Sequence, residues 1–133
     1  MKSIEAHGMV IIYEEKLLVT KDNKDEFYKI PGGRPENKET GTETATRELE
    51  EETGLTGIIG KKLSTKTLTK NPTTNEEIKI VLYHYEGKLK TTPSNFNDYI
   101  HNGHQVKWIP IKDISDYNVA LNIKFLIKKG DIR

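Results

Sequence analysis

The stretch that most constrains this chain is Gly33 to Leu55, and within it Arg47-Glu48-Leu49-Glu50-Glu51-Glu52, four carboxylates in five residues. The flanks read as helix punctuation. Thr40 with Glu43 three residues on forms a capping-box pattern, which puts a helix start near Thr40 or Thr42. Gly54 accepts the left-handed conformation that ends helices. Side chains three and four apart share a helix face, so Glu48, Glu51 and Glu52 are expected on one side. Like charges at that spacing cost an isolated helix about 0.2–0.5 kcal/mol per pair. A bland solvated face is the usual meaning of a charge run. Here the helix has little apolar surface of its own, mainly Ala45 and Leu49, and the acids lie beside the Pro31-Gly32-Gly33 turn. A cluster of hard oxygen ligands suits Mg²⁺ or Mn²⁺, which would turn repulsion into binding.

The segment resembles the Nudix box, G-x5-E-x7-R-E-U-x-E-E-x-G-U, where U is a bulky aliphatic residue. Gly33, Glu39, Arg47, Glu48, Leu49, Glu51, Glu52, Gly54 and Leu55 fill every fixed position, with both spacers at full length. The resemblance implies an α/β fold, the Nudix α/β/α sandwich, with a mixed sheet, the box helix on one face and a C-terminal helix. It implies hydrolysis of a pyrophosphate linkage in a nucleoside diphosphate derivative, with Mg²⁺ as cofactor and Mn²⁺ as substitute. By position, Glu48, Glu51, Glu52 and the Gly33 carbonyl would hold metal. Glu48 or Glu52 would be the base, and Arg47 with Glu39 would brace the loop against the helix. Relatives often carry a further acid in a late loop. His101-Asn102-Gly103-His104-Gln105 has none, which leaves Asp98, Glu86 or a histidine, His101 or His104, as substitutes. Tyr28, Phe96 and Tyr99 are candidates for stacking on a base, and Arg34 for a phosphate contact.

Composition narrows partners. Residues 1–133 are expected to form one domain, large enough for a real core. A net charge of +1 gives no reason to expect a nucleic-acid or anionic-membrane surface. It leaves room for a small anionic substrate, whose charge a metal can meet. Without cysteine there is no disulfide, thiolate nucleophile or cysteine zinc site. The N-terminal apolar run, Met9 to Tyr13, is too short for a signal-peptide core, and a cytoplasmic protein is the default expectation.

Along the chain, Gly8–Tyr13 and Lys16–Thr20 read as a hairpin turning at Glu14-Glu15, and Phe27–Ile30 as a short strand. Gly57–Thr69 has weak β alternation, and Glu77–Tyr85 is the best strand. Lys90–Gly103 reads as a long loop, and Gln105–Pro110 as a strand around Trp108. Asn118 is expected to cap a last helix carrying Val119, Ile123, Leu126 and Ile127, with Lys128-Lys129 at its end and Gly130 as its stop.

Three functions fit these residues. The first is a pyrophosphohydrolase acting on a nucleoside triphosphate or small nucleotide conjugate, with ADP-ribose and nucleotide sugars as alternative substrates. The second is a catalytically silent nucleotide sensor, although such proteins usually lose box glutamates. The third is an RNA 5′-end pyrophosphohydrolase, against which the neutral charge counts. The lean to a small nucleotide rests on a compact domain without an N-terminal extension for subunit swapping; a homodimer stays open.

Overall fold

A computed structural model describes residues 2–133. Strand β1 (Ser3–Tyr13) turns at Glu14-Glu15 into β2 (Lys16–Lys21), with Tyr13 opposite Lys16. Both turn residues take positive φ, 47° and 61°. That geometry matches the twist of a two-residue hairpin. The pair β3 (Gly32–Gly33) leads to helix α1 (Gly41–Thr53). Then come β4 (Gly57–Lys62), β5 (Lys66–Lys70), β6 (Glu77–Leu89), β7 (Tyr99–His101) and β8 (His104–Pro110). A 3₁₀ turn over Ile111–Asp116 precedes helix α2 (Leu121–Lys129).

The strands form one sheet in the order β4-β6-β1-β2-β8-β7, with β3 added to β1 and β5 to β6. It is mixed. β1 and β6 run parallel from Ser3↔Lys79 to Ile11↔Gly87. The other pairs are antiparallel. Helices cover both faces, and the continuous apolar runs of β1 and β2 reflect that. Met9, Ile11 and Leu18 point to one core with Ala45 and Leu49 of α1. Val10, Leu17 and Val19 point to the other with Ile123 and Leu126 of α2. The architecture is the expected α/β/α sandwich. Leu49 is fully buried, a contribution of about 1.5–3 kcal/mol. Among the described residues no helix is long and apolar enough to cross a membrane.

Three local expectations need correction. Residues 27–30 do not form a strand; they make single bridges, Lys29 to Thr20 and Tyr28 to Val119. The stretch 90–103 is not all loop, because β7 lies at its end. Asn118 does not cap α2. Its Nδ2 donates to the Glu26 carbonyl at 2.6 Å and its own carbonyl accepts from Tyr28 N at 2.9 Å. Val119 is committed to that bridge, so the helix starts later, after Ala120, with no side-chain cap. The other end behaves as expected: Lys128 and Lys129 fill the last turn and Gly130 closes it at φ 83°.

A buried polar link ties α2 to the sheet. His84 is 1% exposed. Its Nδ1 donates to the Ser64 carbonyl at 2.8 Å, and its Nε2 accepts from Asn122 Nδ2 at 3.0 Å. Ser64 N in turn donates to Asp131 Oδ2 at 3.0 Å. Burial lowers the His84 pKa, only partly offset by Ser64 and the Asp131 charge. A histidine depressed in the folded state leaves stability intact above its unfolded value. Below that value the unfolded chain takes the proton first. Thermal melts are therefore expected to show a falling midpoint below about pH 6.5, and His84→Gln is expected to flatten that slope while lowering the midpoint at neutral pH. An unchanged slope in the variant would assign the acid sensitivity elsewhere.

Candidate active site

Helix α1 is placed by its caps. Thr40 Oγ1 accepts from Glu43 N at 3.2 Å, and Glu43 Oε1 accepts from Thr40 N at 2.9 Å. Gly54 closes the helix at φ 75°, its N–H reaching the Glu50 carbonyl. The caps satisfy backbone groups that a helix end leaves unpaired. They also set which face the glutamates take. β3 then brings the glycine turn against that face: Gly33 lies opposite His7 and Gly32 opposite Gly8.

Glu52 is 7% exposed. Its Oε1 accepts from Thr20 Oγ1 at 3.0 Å and its Oε2 from Gly32 N at 3.2 Å. Burial, then the neighbouring Glu48, pushes its pKa up to about 9. Glu48 lies directly over Gly33, so close that a side chain there would meet its carboxylate at 2.5–2.8 Å. Two carboxyl groups thus face each other at the glycine turn, Glu48 helping to raise the pKa of Glu52. A hard divalent ion would reverse the sign of that encounter.

Arg47 is the hub of the acidic cluster. Its Nε and Nη2 donate to the two oxygens of Glu39 at 2.7 and 3.0 Å, a bidentate pair, and Nη2 also reaches the Arg34 carbonyl at 3.1 Å. Its Nη1 donates to Glu48 Oε1 at 2.9 Å and Glu51 Oε2 at 3.0 Å. These bonds hold Glu39 down at about 2, with the Arg47 hydrogen bond as main cause, and raise Arg47 itself. A planar fork suits this task and an ammonium does not.

The structure therefore sets Glu48 against both Glu52 and Arg47, and brings Glu51 to the same Arg47 nitrogen as Glu48. Among the described residues no group of three acidic or histidine side chains is drawn close enough to hold a metal ion.

A cavity of about 480 Å³ opens at Gly32-Gly33, lined also by Phe27, Lys29, Tyr83, Asn118, Asn122 and Lys124. The sequence-level candidates lie mostly elsewhere. Arg34 is exposed and follows the turn. Tyr28 packs edge-on against Tyr117, while its neighbour Phe27 lines the cavity. Phe96 packs against Trp108 with Lys16 over its ring. Asp98 pairs with Lys107 at 2.9 Å. The Tyr99 hydroxyl donates to the Thr53 carbonyl at 2.6 Å. His101 rests against Gly54, His104 turns back on the Asn102 carbonyl, and exposed Glu86 lies beside Gly60. Sequence reasoning passed over Thr20, Phe27 and Asn118. A threonine inside the apolar run of β2 was the available signal for Thr20; Asn118 was read as a helix cap, and nothing local marks Phe27.

The fold has many solved counterparts. A NUDIX hydrolase from Nitrosomonas europaea superposes with TM-score 0.78 at 16% identity, covering 99% of this chain and 92% of that one. A MutT NUDIX hydrolase from Burkholderia pseudomallei gives 0.76 at 16% identity, covering 96% and 98%. A MutT protein from Methanosarcina mazei Go1 gives 0.71 at 19% identity, covering 98% and 94%. Comparison with curated protein sequences finds no match. The family model of the NUDIX domain matches residues 4–128, nearly the whole chain, and so the chain belongs to the Nudix hydrolases, pyrophosphohydrolases that act on nucleoside diphosphate derivatives.

Proposed function

We propose that residues 1–133 act as one catalytic domain that hydrolyses a pyrophosphate linkage in a nucleoside triphosphate or small nucleotide conjugate, with Mg²⁺ held by Glu48, Glu51, Glu52 and the Gly33 carbonyl. The observation that carries this reading is the pair of facing carboxyl groups, Glu48 and Glu52, set against the Gly32-Gly33 turn, which also lines the cavity. Its donor set is all oxygen, the chemistry Mg²⁺ and Mn²⁺ select. A bound divalent ion supplies Lewis-acid activation of a phosphoryl oxygen and of water.

The protein's own groups do the rest. Thr20 and Gly32 fix the Glu52 carboxylate from behind, so it cannot swing away as substrate arrives. Arg47 holds the loop to the helix through Glu39 and keeps Glu48 oriented. One of Glu48 and Glu52 accepts the proton of the attacking water. In the cavity, Phe27 and Tyr83 offer apolar ring surface, and the asparagines offer amide donors and acceptors of the kind that read a base edge. Lys124 adds positive charge for an anionic substrate, while the Lys29 ammonium is paired with Asp25 at 3.0 Å.

The test is a hydrolysis panel of nucleoside triphosphates, ADP-ribose, nucleotide sugars and dinucleoside polyphosphates, with Mg²⁺ and Mn²⁺ compared. Turnover of a small nucleotide is expected in Mg²⁺ and none in chelator. Tight nucleotide binding without turnover in either metal would make the chain a sensor. Release of pyrophosphate from triphosphorylated RNA alone would move the substrate to nucleic acid.

A further inference from the structure

The C-terminal turn of α1 is weak by its own composition. Glu50, Glu51 and Glu52 sit at the negative end of the helix dipole, and the last turn holds no basic residue. Its final carbonyls also lack partners within the helix. Gly54 N takes that of Glu50 at 2.8 Å. Two more are met from far along the chain: Asn102 Nδ2 donates to the Glu51 carbonyl at 2.8 Å, and the Tyr99 hydroxyl to the Thr53 carbonyl at 2.6 Å.

Both donors belong to the β7–β8 hairpin. Asn102 and Gly103, at φ 48° and 79°, make its two-residue turn. Tyr99 and His101 face α1, with the His101 ring about where a side chain on Gly54 would be, 3.0 Å away. Ile100, between them, is 74% exposed and faces solvent. A strand of three residues at the sheet edge buries little by itself. What it does is present two hydrogen-bond donors to the helix turn that carries Glu51 and Glu52.

We propose that Tyr99 and Asn102 are positioning residues, which hold the backbone of the last turn of α1 and so keep Glu51 and Glu52 within reach of a divalent ion bound beside Glu48 and Gly33. This rests on the reading of those glutamates as metal ligands.

The experiment uses Tyr99→Phe, Asn102→Gly and the double variant, with Glu52→Gln alongside. Asn102→Gly keeps a residue at ease with positive φ and removes only the donor. Three quantities are read: Mn²⁺ affinity by titration without nucleotide, the Mg²⁺ concentration for half-maximal hydrolysis, and amide exchange over residues 48–56. The double variant is expected to raise the metal requirement about tenfold, with kcat at saturating Mg²⁺ within about twofold of wild type. Exchange should quicken in the last turn of α1 and not in β1 or β6. If the double variant does not fold, the single Tyr99→Phe change, which keeps the ring, carries the same expectations in smaller measure. An unaltered metal requirement beside an inactive Glu52→Gln overturns this proposal alone, as does a loss of kcat that saturating metal does not restore. Wild-type metal binding and turnover in Glu52→Gln would overturn the ligand reading and this proposal with it.

Discussion

Glu52→Gln is expected to lower kcat by about 10²–10³-fold, and to weaken Mn²⁺ binding measured without substrate, while the protein stays folded. The change removes almost no volume and, because burial and Glu48 already keep the Glu52 carboxyl protonated at neutral pH, no charge from the metal-free protein. Thr20 Oγ1 can still donate to the amide oxygen. The amide nitrogen can donate to Glu48, as the protonated carboxyl does. One bond is lost, since Thr20 and the Gly32 N–H address different oxygens of Glu52 and the amide keeps only one of them. The metal-free fold therefore loses about one hydrogen bond, and its melting point should change little. Activity is not spared in this way, because a neutral side chain cannot offset the charge of the cation or take a proton from water. Glu50→Gln is the control: Glu50 is exposed, lies outside the fixed box positions and should leave turnover unchanged. Kinetics on a substrate identified by the panel, with metal titrations of both variants, decide the matter. Near wild-type turnover in Glu52→Gln would remove this residue from the site.

The contrast between what was legible and what was not follows the range of the forces involved. Helix α1 was readable to within a residue or two because its limits are local: Thr40, Glu43 and Gly54 act within one turn of themselves. The hairpin at Glu14-Glu15 and the end of α2 at Gly130 are local in the same way. Asn118 was misread because its true partners, Glu26 and Tyr28, are about ninety residues away, and a side chain suited to capping is equally suited to bridging segments. β7 was invisible because its three residues carry no alternation of their own and are held by β8 and α1. The box gave the identities of the acids, yet not their directions. Nothing in the spacing shows that Glu48 and Glu51 would share one nitrogen of Arg47, since that depends on how a long side chain folds back over its own helix. The cavity residues came from three separate segments and share no spacing at all.

The adjacent glycines of β3 should answer the same substitution in opposite ways. A β-carbon on Gly32 would stand 2.6 Å from the His7 carbonyl oxygen and 2.7 Å from the Gly8 α-carbon, both backbone atoms of β1. Backbone in a central strand cannot step aside without opening the β1–β3 pairing and pulling Gly32 N from Glu52. Gly32→Ala is therefore expected to cost at least 1–3 kcal/mol, as overpacking does, and to lower the melting midpoint by about 5–10 °C. The atoms nearest to a β-carbon on Gly33 all belong to the carboxylate of Glu48, at 2.5–2.8 Å. That is the far end of a flexible side chain, which can shift together with its Arg47 partner, and Gly33 holds no positive φ that alanine would strain. Gly33→Ala should melt close to wild type. Its cost falls on function: the Glu48 carboxylate has to move by about 1 Å to reach contact distance, and a misplacement of that size costs on the order of 10²-fold in rate. Melting curves and kcat for the two variants separate the cases. Equal destabilisation of both, or a fully active Gly33→Ala enzyme, would mean that Glu48 does not work from its position over this turn.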